Sequence, residues 1–237
     1  MGAPTETSAP GLSRRLLASA LAGEPPAELD RVAAGLEAAD PLALEGDGAR
    51  IAFWLNIYNA RLLHALAQRP RSGHLLRHRR IFRRAAYTVG GLAYTLDLIE
   101  HGLLRGNARP PYSPRRLLRR GDPRLRAAPS RPDPRVHFAL NCGARSCPPV
   151  RAYTEQGLDD ELEAAARSYV AAESSLDRDR AELELPGLIS LYRRDFGPDP
   201  ELVELAATAR GGADGDWIRE RSGSLRLRYA RFDWRLV

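Results

Sequence analysis

The stretch Arg50-Ile51-Ala52-Phe53-Trp54-Leu55-Asn56-Ile57-Tyr58-Asn59-Ala60-Arg61-Leu62-Leu63-His64-Ala65-Leu66-Ala67-Gln68 is the longest apolar segment of the chain. Ile51, Trp54, Leu55, Tyr58, Leu62, Ala65 and Leu66 recur at helical spacing, so residues 50–68 are read as a central helix around which the rest packs. Asn56, Asn59 and His64 lie in or beside that stripe, and an enclosed amide or imidazole needs hydrogen-bond partners. The two asparagines are expected to tie neighbouring loops or strands to the helix.

Working outward, residues 1–10 are rich in Pro, Ser and Thr and are expected to be poorly ordered. Residues 12–22 and 28–39 read as two helices, the first broken at Gly23-Glu24-Pro25-Pro26 and the second at Asp40-Pro41. C-terminal to the central helix, residues 87–96 alternate around Gly90-Gly91, a hairpin signal. Asp97 then opens a helix with Glu100 three residues on, the spacing of a capping box. Residues 106–134 are dense in Pro, Gly and Arg and read as a long irregular loop with one helical turn at 115–119. A helix is expected from Thr154, a strand at 182–185, a strand-to-helix passage at 187–196, a helix at 200–209 and a strand at 225–229. The fold class is α+β, with helices packed on a small antiparallel sheet. Residues 1–44 form an N-terminal extension and residues 45–237 the main domain.

The composition fits such a domain, since 237 residues at 43% hydrophobic content can bury a sizeable core. The 36 basic residues are all arginine and outnumber 30 acids, for a net charge of +6. They are scattered, so a solvated surface is expected rather than a nucleic-acid face. The densest group, Arg77, Arg79, Arg80, Arg83 and Arg84, has only Phe82 and Tyr87 nearby for stacking, which points away from sequence-specific nucleic-acid binding. No run approaches eighteen apolar residues and no signal peptide is evident, so a soluble, cytoplasmic protein with no membrane partner is expected. Cofactor and metal are expected to be none: two cysteines spaced C-x4-C without a second ligand pair do not make a zinc site, and His64, His74 and His78 lack ligand spacing.

Both cysteines fall in Arg135-Val136-His137-Phe138-Ala139-Leu140-Asn141-Cys142-Gly143-Ala144-Arg145-Ser146-Cys147-Pro148-Pro149. Val136 to Leu140 is short, apolar and bounded by Pro134 and Gly143, and reads as a buried strand. Gly143 and the Pro148-Pro149 pair then force a tight loop at its end. Leu140-Asn141-Cys142-Gly143 with Ser146-Cys147-Pro148-Pro149 resembles the signature of the domain of unknown function 547 family. Three further blocks agree: residues 52–59, residues 96–105 and Phe232-Asp233-Trp234. The likeness covers residues 45–237. It implies a divergent papain-like fold with a Glu-His-Cys constellation, and some relatives serve as interaction modules.

On that basis Cys142 is the candidate nucleophile, His137 its general base and Glu100 the group that orients the imidazole. Five residues of straight strand separate His137 from Cys142 by about 16 Å, so the dyad requires a sharp bend at Asn141-Cys142-Gly143. Cys147 is the rival thiol, since a turn at 143–146 returns it towards His137 or His101. His101, next in sequence to Glu100, is expected to point elsewhere, beside Arg105. Arg105, Asn141 and Arg145 are the candidate substrate contacts, the arginines for a carboxylate or an oxyanion. The expected function is a cysteine-dependent hydrolase or acyl-transfer enzyme acting on a small molecule or peptide. The alternatives are a non-catalytic protein-interaction module and a thiol redox protein using a Cys142–Cys147 bridge.

Overall fold

The computed structural model describes residues 7–68, 73–78 and 80–236. Of the start expected to be poorly ordered, residues 1–6 lie outside these, while Ala9 and Pro10 are helical. Helix α1 (Ala9–Leu21) starts where the Ser8 hydroxyl accepts the amide of Gly11, with Pro10 in the first turn. It is followed by α2 (Pro26–Ala34), which tightens into a 3-10 turn at Gly35–Ala38. The central helix α3 (Gly46–Ala67) begins four residues before the apolar run. The carboxylate of Asp47 in its first turn accepts the amides of Ser130 and Arg131 and the Ser130 hydroxyl. From Ile51 to Ala60 every residue of α3 is buried, the pattern of a helix enclosed on all sides.

After the short α4 (Arg80–Arg84), strands β1 (Ala86–Val89) and β2 (Leu92–Thr95) form the expected hairpin. Gly90 and Gly91 both have positive φ, +56° and +75°, as a two-residue type I′ turn requires. The next helix departs from the expected capping box. Its cap is the Thr95 hydroxyl, 3.2 Å from the amide of Leu98, and Leu98–Leu104 winds as a π-helix. The Glu100 carboxylate turns inward instead of back to the helix start. Residues 106–134 lack the turn expected at 115–119. They are pinned by buried Asn107, whose amide group bonds both the carbonyl and the amide of Leu118, and they close with a 3-10 turn at Pro123–Ala127.

The strand expected at Val136–Leu140 is instead a 3-10 helix, Pro134–Phe138. Asp133 caps it by accepting the amide of Arg135, and Pro134 occupies a first-turn position where no amide is needed. A five-residue apolar run fits either reading, and the Asp-Pro start decides it. Helix α5 (Leu158–Glu173) begins four residues later than expected. Thr154 and Glu161 cap its start: the Glu161 carboxylate accepts both the amide and the hydroxyl of Thr154, and the Thr154 hydroxyl accepts the amide of Gly157.

Strands β3 (Ser175–Asp177) and β4 (Glu182–Leu185) pair antiparallel. Helices α6 (Gly187–Leu191), α7 (Asp199–Arg210) and α8 (Gly212–Glu220) carry the chain to β5 (Arg226–Tyr229), which joins β4 in parallel. The fold is therefore α+β, with two small sheets among the described residues, one antiparallel and one mixed. The parallel pair follows from the long helical crossover, since a short turn joins only antiparallel strands.

Two cores result. The first surrounds α3 and includes Leu16 and Leu17 of α1, so the N-terminal helices share its packing. The second joins α5, α7 and α8 to Leu183 and Leu185 of β4. The 3-10 helix Pro134–Phe138 and the residue after it contribute to both, with Val136 and Ala139 in the first and Phe138 in the second. Among the described residues, no helix is long and apolar enough to cross a membrane.

Candidate functional site

The π-helix, the 3-10 helix, the cysteine loop and the segment after α6 bring their polar side chains to the seam between the cores. Glu100 is 7% exposed. Its Oε1 accepts the Tyr192 hydroxyl at 2.6 Å and its Oε2 the Tyr58 hydroxyl at 3.2 Å. Burial pushes this carboxyl up, but the bond from the Tyr192 hydroxyl and the guanidinium charge of Arg105 pull it down, and with the net direction downward Glu100 stays ionised.

His101 does not point away from Glu100: its Nδ1 lies 3.6 Å from the carboxylate and 2.8 Å from Nη1 of Arg105. A guanidinium only donates, so Nδ1 is the acceptor and the ring is the neutral Nε2–H tautomer. Burial, which lowers its pKa, agrees. The fork of Arg105 is closed on Asp195, with Nη2 to Oδ1 at 2.9 Å and Nε to Oδ2. Asp195 Oδ2 also accepts from Nε2 of His137 at 2.8 Å. Burial raises the Asp195 carboxyl, and the bonds from His137 and Arg105 outweigh it and hold the group well below the usual range. The His137 ring is buried and stacked on Tyr192, 4.0 Å between centroids and 22° between planes. With Nε2 committed to a carboxylate, Nδ1 is the nitrogen left for proton transfer.

The carboxylate that orients His137 is thus Asp195, and Glu100 is held by two tyrosines. Sequence reasoning missed Asp195, Tyr192 and Tyr58. Tyr58 reads as one more apolar residue of the α3 stripe. Asp195 lies 58 positions beyond His137, with no spacing cue to join them.

The cysteine loop is built from the asparagines. Asn59 donates to the carbonyl of Ala139 at 3.0 Å and accepts the amide of Asn141 at 3.1 Å, and Asn56 brackets Tyr153 in the same way. This is the tying role expected of both. Asn141 in turn accepts the amide of Gly143 at 2.6 Å and donates to the carbonyl of Pro148 at 2.7 Å, so its side chain is spent on closing the loop. Gly143 has φ +86°, and a Cβ there would meet Leu66 Cδ1 at 2.9 Å. Arg145 is exposed, with its amide bonded to the carbonyl of Arg235 in the C-terminal segment that buttresses the loop.

Inside the loop the two sulfurs differ. Cys147 Sγ accepts the amide of Cys142 at 3.0 Å. Burial raises the Cys147 thiol, but hydrogen bonds from the Cys142 thiol and from the amides of Cys142 and Ala144 outweigh it and bring the pKa down. Cys142, as the donor in that pair and buried besides, is raised. The Glu100 anion pushes both up. Both residues are half-buried free thiols. Among the described residues, neither His101 nor His137 is hydrogen-bonded to a sulfur.

Apart from these, His64 bonds the Tyr87 hydroxyl and Gln68, and the backbone of His74 forms an isolated β-bridge with Arg235. Arg77, Arg80, Arg83 and Arg84 are exposed, and Arg79 lies outside the described residues.

Fold and site together define an α+β protein with buried imidazoles and carboxylates at the seam of two cores and a half-buried pair of thiols in the adjoining loop. Residues 43–170 match the family model described as Protein of unknown function, DUF547, and the chain belongs to that family. The matched span holds Glu100, His137, Cys142 and Cys147, whereas Tyr192 and Asp195 lie beyond it. No curated protein and no solved structure matches the chain.

Proposed function

We propose that the chain is a cysteine-dependent hydrolase or acyl-transfer enzyme, acting in the cytoplasm on a small-molecule or peptide acyl group. Of the two thiols, Cys147 is the nucleophile this reading favours over Cys142, because the observation carrying it is the Cys142 amide 3.0 Å from the Cys147 sulfur. Backbone donors stabilise a thiolate without needing a cation in contact. In the reaction the Cys147 thiolate adds to the acyl carbon, and the leaving group departs with a proton to give a thioester. Water or a second nucleophile then releases the acyl group. His137, oriented by Asp195, is the proton carrier through Nδ1, and the papain-like resemblance supplies the reaction class.

The competing reading, a non-catalytic interaction module on the same fold, is favoured by the ionised Glu100, whose charge opposes thiolate formation at both cysteines. Incubation with activated acyl esters separates the two. The enzyme reading expects an acyl adduct on Cys147, found by peptide mass mapping, that is lost in Cys147→Ala and turns over more slowly in His137→Ala. A chain that acquires no adduct, or acquires it only on surface residues, is the interaction module.

A further inference from the structure

The hydrolase reading uses one sulfur, yet the loop holds two in contact. Asn141 staples residue 141 to residue 148 through its bond to the Pro148 carbonyl, and the amide of Cys147 bonds the carbonyl of Ala144 to close the turn between them. These bonds clamp both ends of the C-x4-C segment together whatever the state of the thiols. The Cys147 sulfur then sits 3.0 Å from the Cys142 backbone nitrogen, within a side-chain rotation of the Cys142 sulfur. Both residues keep part of their surface exposed, so the loop that carries the pair borders solvent.

We propose that Cys142 and Cys147 form a reversible oxidation site for hydroperoxides, with Cys147 the sulfur attacked first and Cys142 the resolving thiol. The Cys147 thiolate displaces hydroxide from the peroxide O–O bond and becomes a sulfenic acid. The Cys142 thiol then attacks that sulfur and releases water, forming the disulfide. In sum, two thiols lose two protons and two electrons, and one hydroperoxide is reduced, giving two waters when the peroxide is hydrogen peroxide. A thiol reductant restores the pair. The step shares the Cys147 thiolate with acyl transfer but needs no acyl substrate, and the disulfide shuts off any acyl chemistry at Cys147.

The test treats the full reduced chain with hydrogen peroxide and follows intact mass and alkylation of each cysteine. The expected wild-type result is a loss of two hydrogens, with both cysteines protected from alkylation and both recovered by dithiothreitol. In Cys142→Ser, which lacks the resolving thiol, Cys147 should accumulate a sulfenic acid trapped by dimedone. The proposal is overturned if wild-type Cys147 proceeds to the sulfinic acid while Cys142 still alkylates, or if both cysteines stay reduced at peroxide levels that oxidise glutathione. Ester turnover, measured separately on reduced protein, keeps a failure of the hydrolase reading distinct from a failure of this one.

Discussion

At the scale of single residues, Asp97 and Asp195 are carboxyls whose environments push them opposite ways. Asp97 is 5% exposed with one oxygen unpartnered, and burial raises it to about 6, against the bond from Tyr112 and with help from Glu100. A raised carboxyl binds more protons folded than unfolded, so its contribution falls as pH climbs from about 4 to about 6 and stays lost above. In urea unfolding, Asp97→Asn should therefore make the slope of stability against pH more positive, by on the order of 1–2 kcal/mol between pH 4 and 8. An unchanged slope would contradict the assignment. Legibility at this scale was uneven. Cys142, Cys147, His137 and Glu100 stand out in the sequence because reactive types crowd into short motifs. Asp195, Tyr192 and Tyr58 do not, because their partners are assembled by tertiary packing across 42 to 92 positions.

At the scale of elements, long periodic segments were readable and short ones were not. The central helix and the Gly-Gly hairpin formed as their patterns demand, since a sustained period or a required positive φ leaves little choice. The 136–140 run became a 3-10 turn because its Asp-Pro start satisfies helical geometry, and the capping box gave way because Thr95 supplied the cap while Glu100 found two hydroxyl donors inside. What fixes the cysteine loop to α3 is Asn59. Replacing Asn59 by Ala strands the Ala139 carbonyl and the Asn141 amide in the interior, which should cost about 2–3 kcal/mol in chemical denaturation. The same variant should equalise alkylation of the two cysteines, because the loop that aims the Cys142 amide is released. Retained stability would place the hold on the loop elsewhere.

At the scale of the whole molecule, Arg105 leaves the first core and Asp195 leaves the second, so their forked pair, with His137 on the same carboxylate, bolts the two halves together. Removing the carboxylate in Asp195→Ala leaves a 7%-exposed arginine without its forked partner and should cost about 3 kcal/mol. Because Asp195 is depressed when folded, its contribution is present above the unfolded carboxylate range and is lost as pH falls through the folded value, the reverse of Asp97. Wild type and variant should thus converge in stability only in strong acid. The arrangement matters for chemistry because the seam this pair holds is where the thiols, the imidazoles and Glu100 lie. The most direct test of the account is the alkylation rate of each cysteine against pH, resolved by peptide mass. The account predicts that Cys147 reaches half its maximal rate below the ordinary thiol value of about 8.5 while Cys142 does so above it. Equal titration of the two, or a lower value at Cys142, would contradict it.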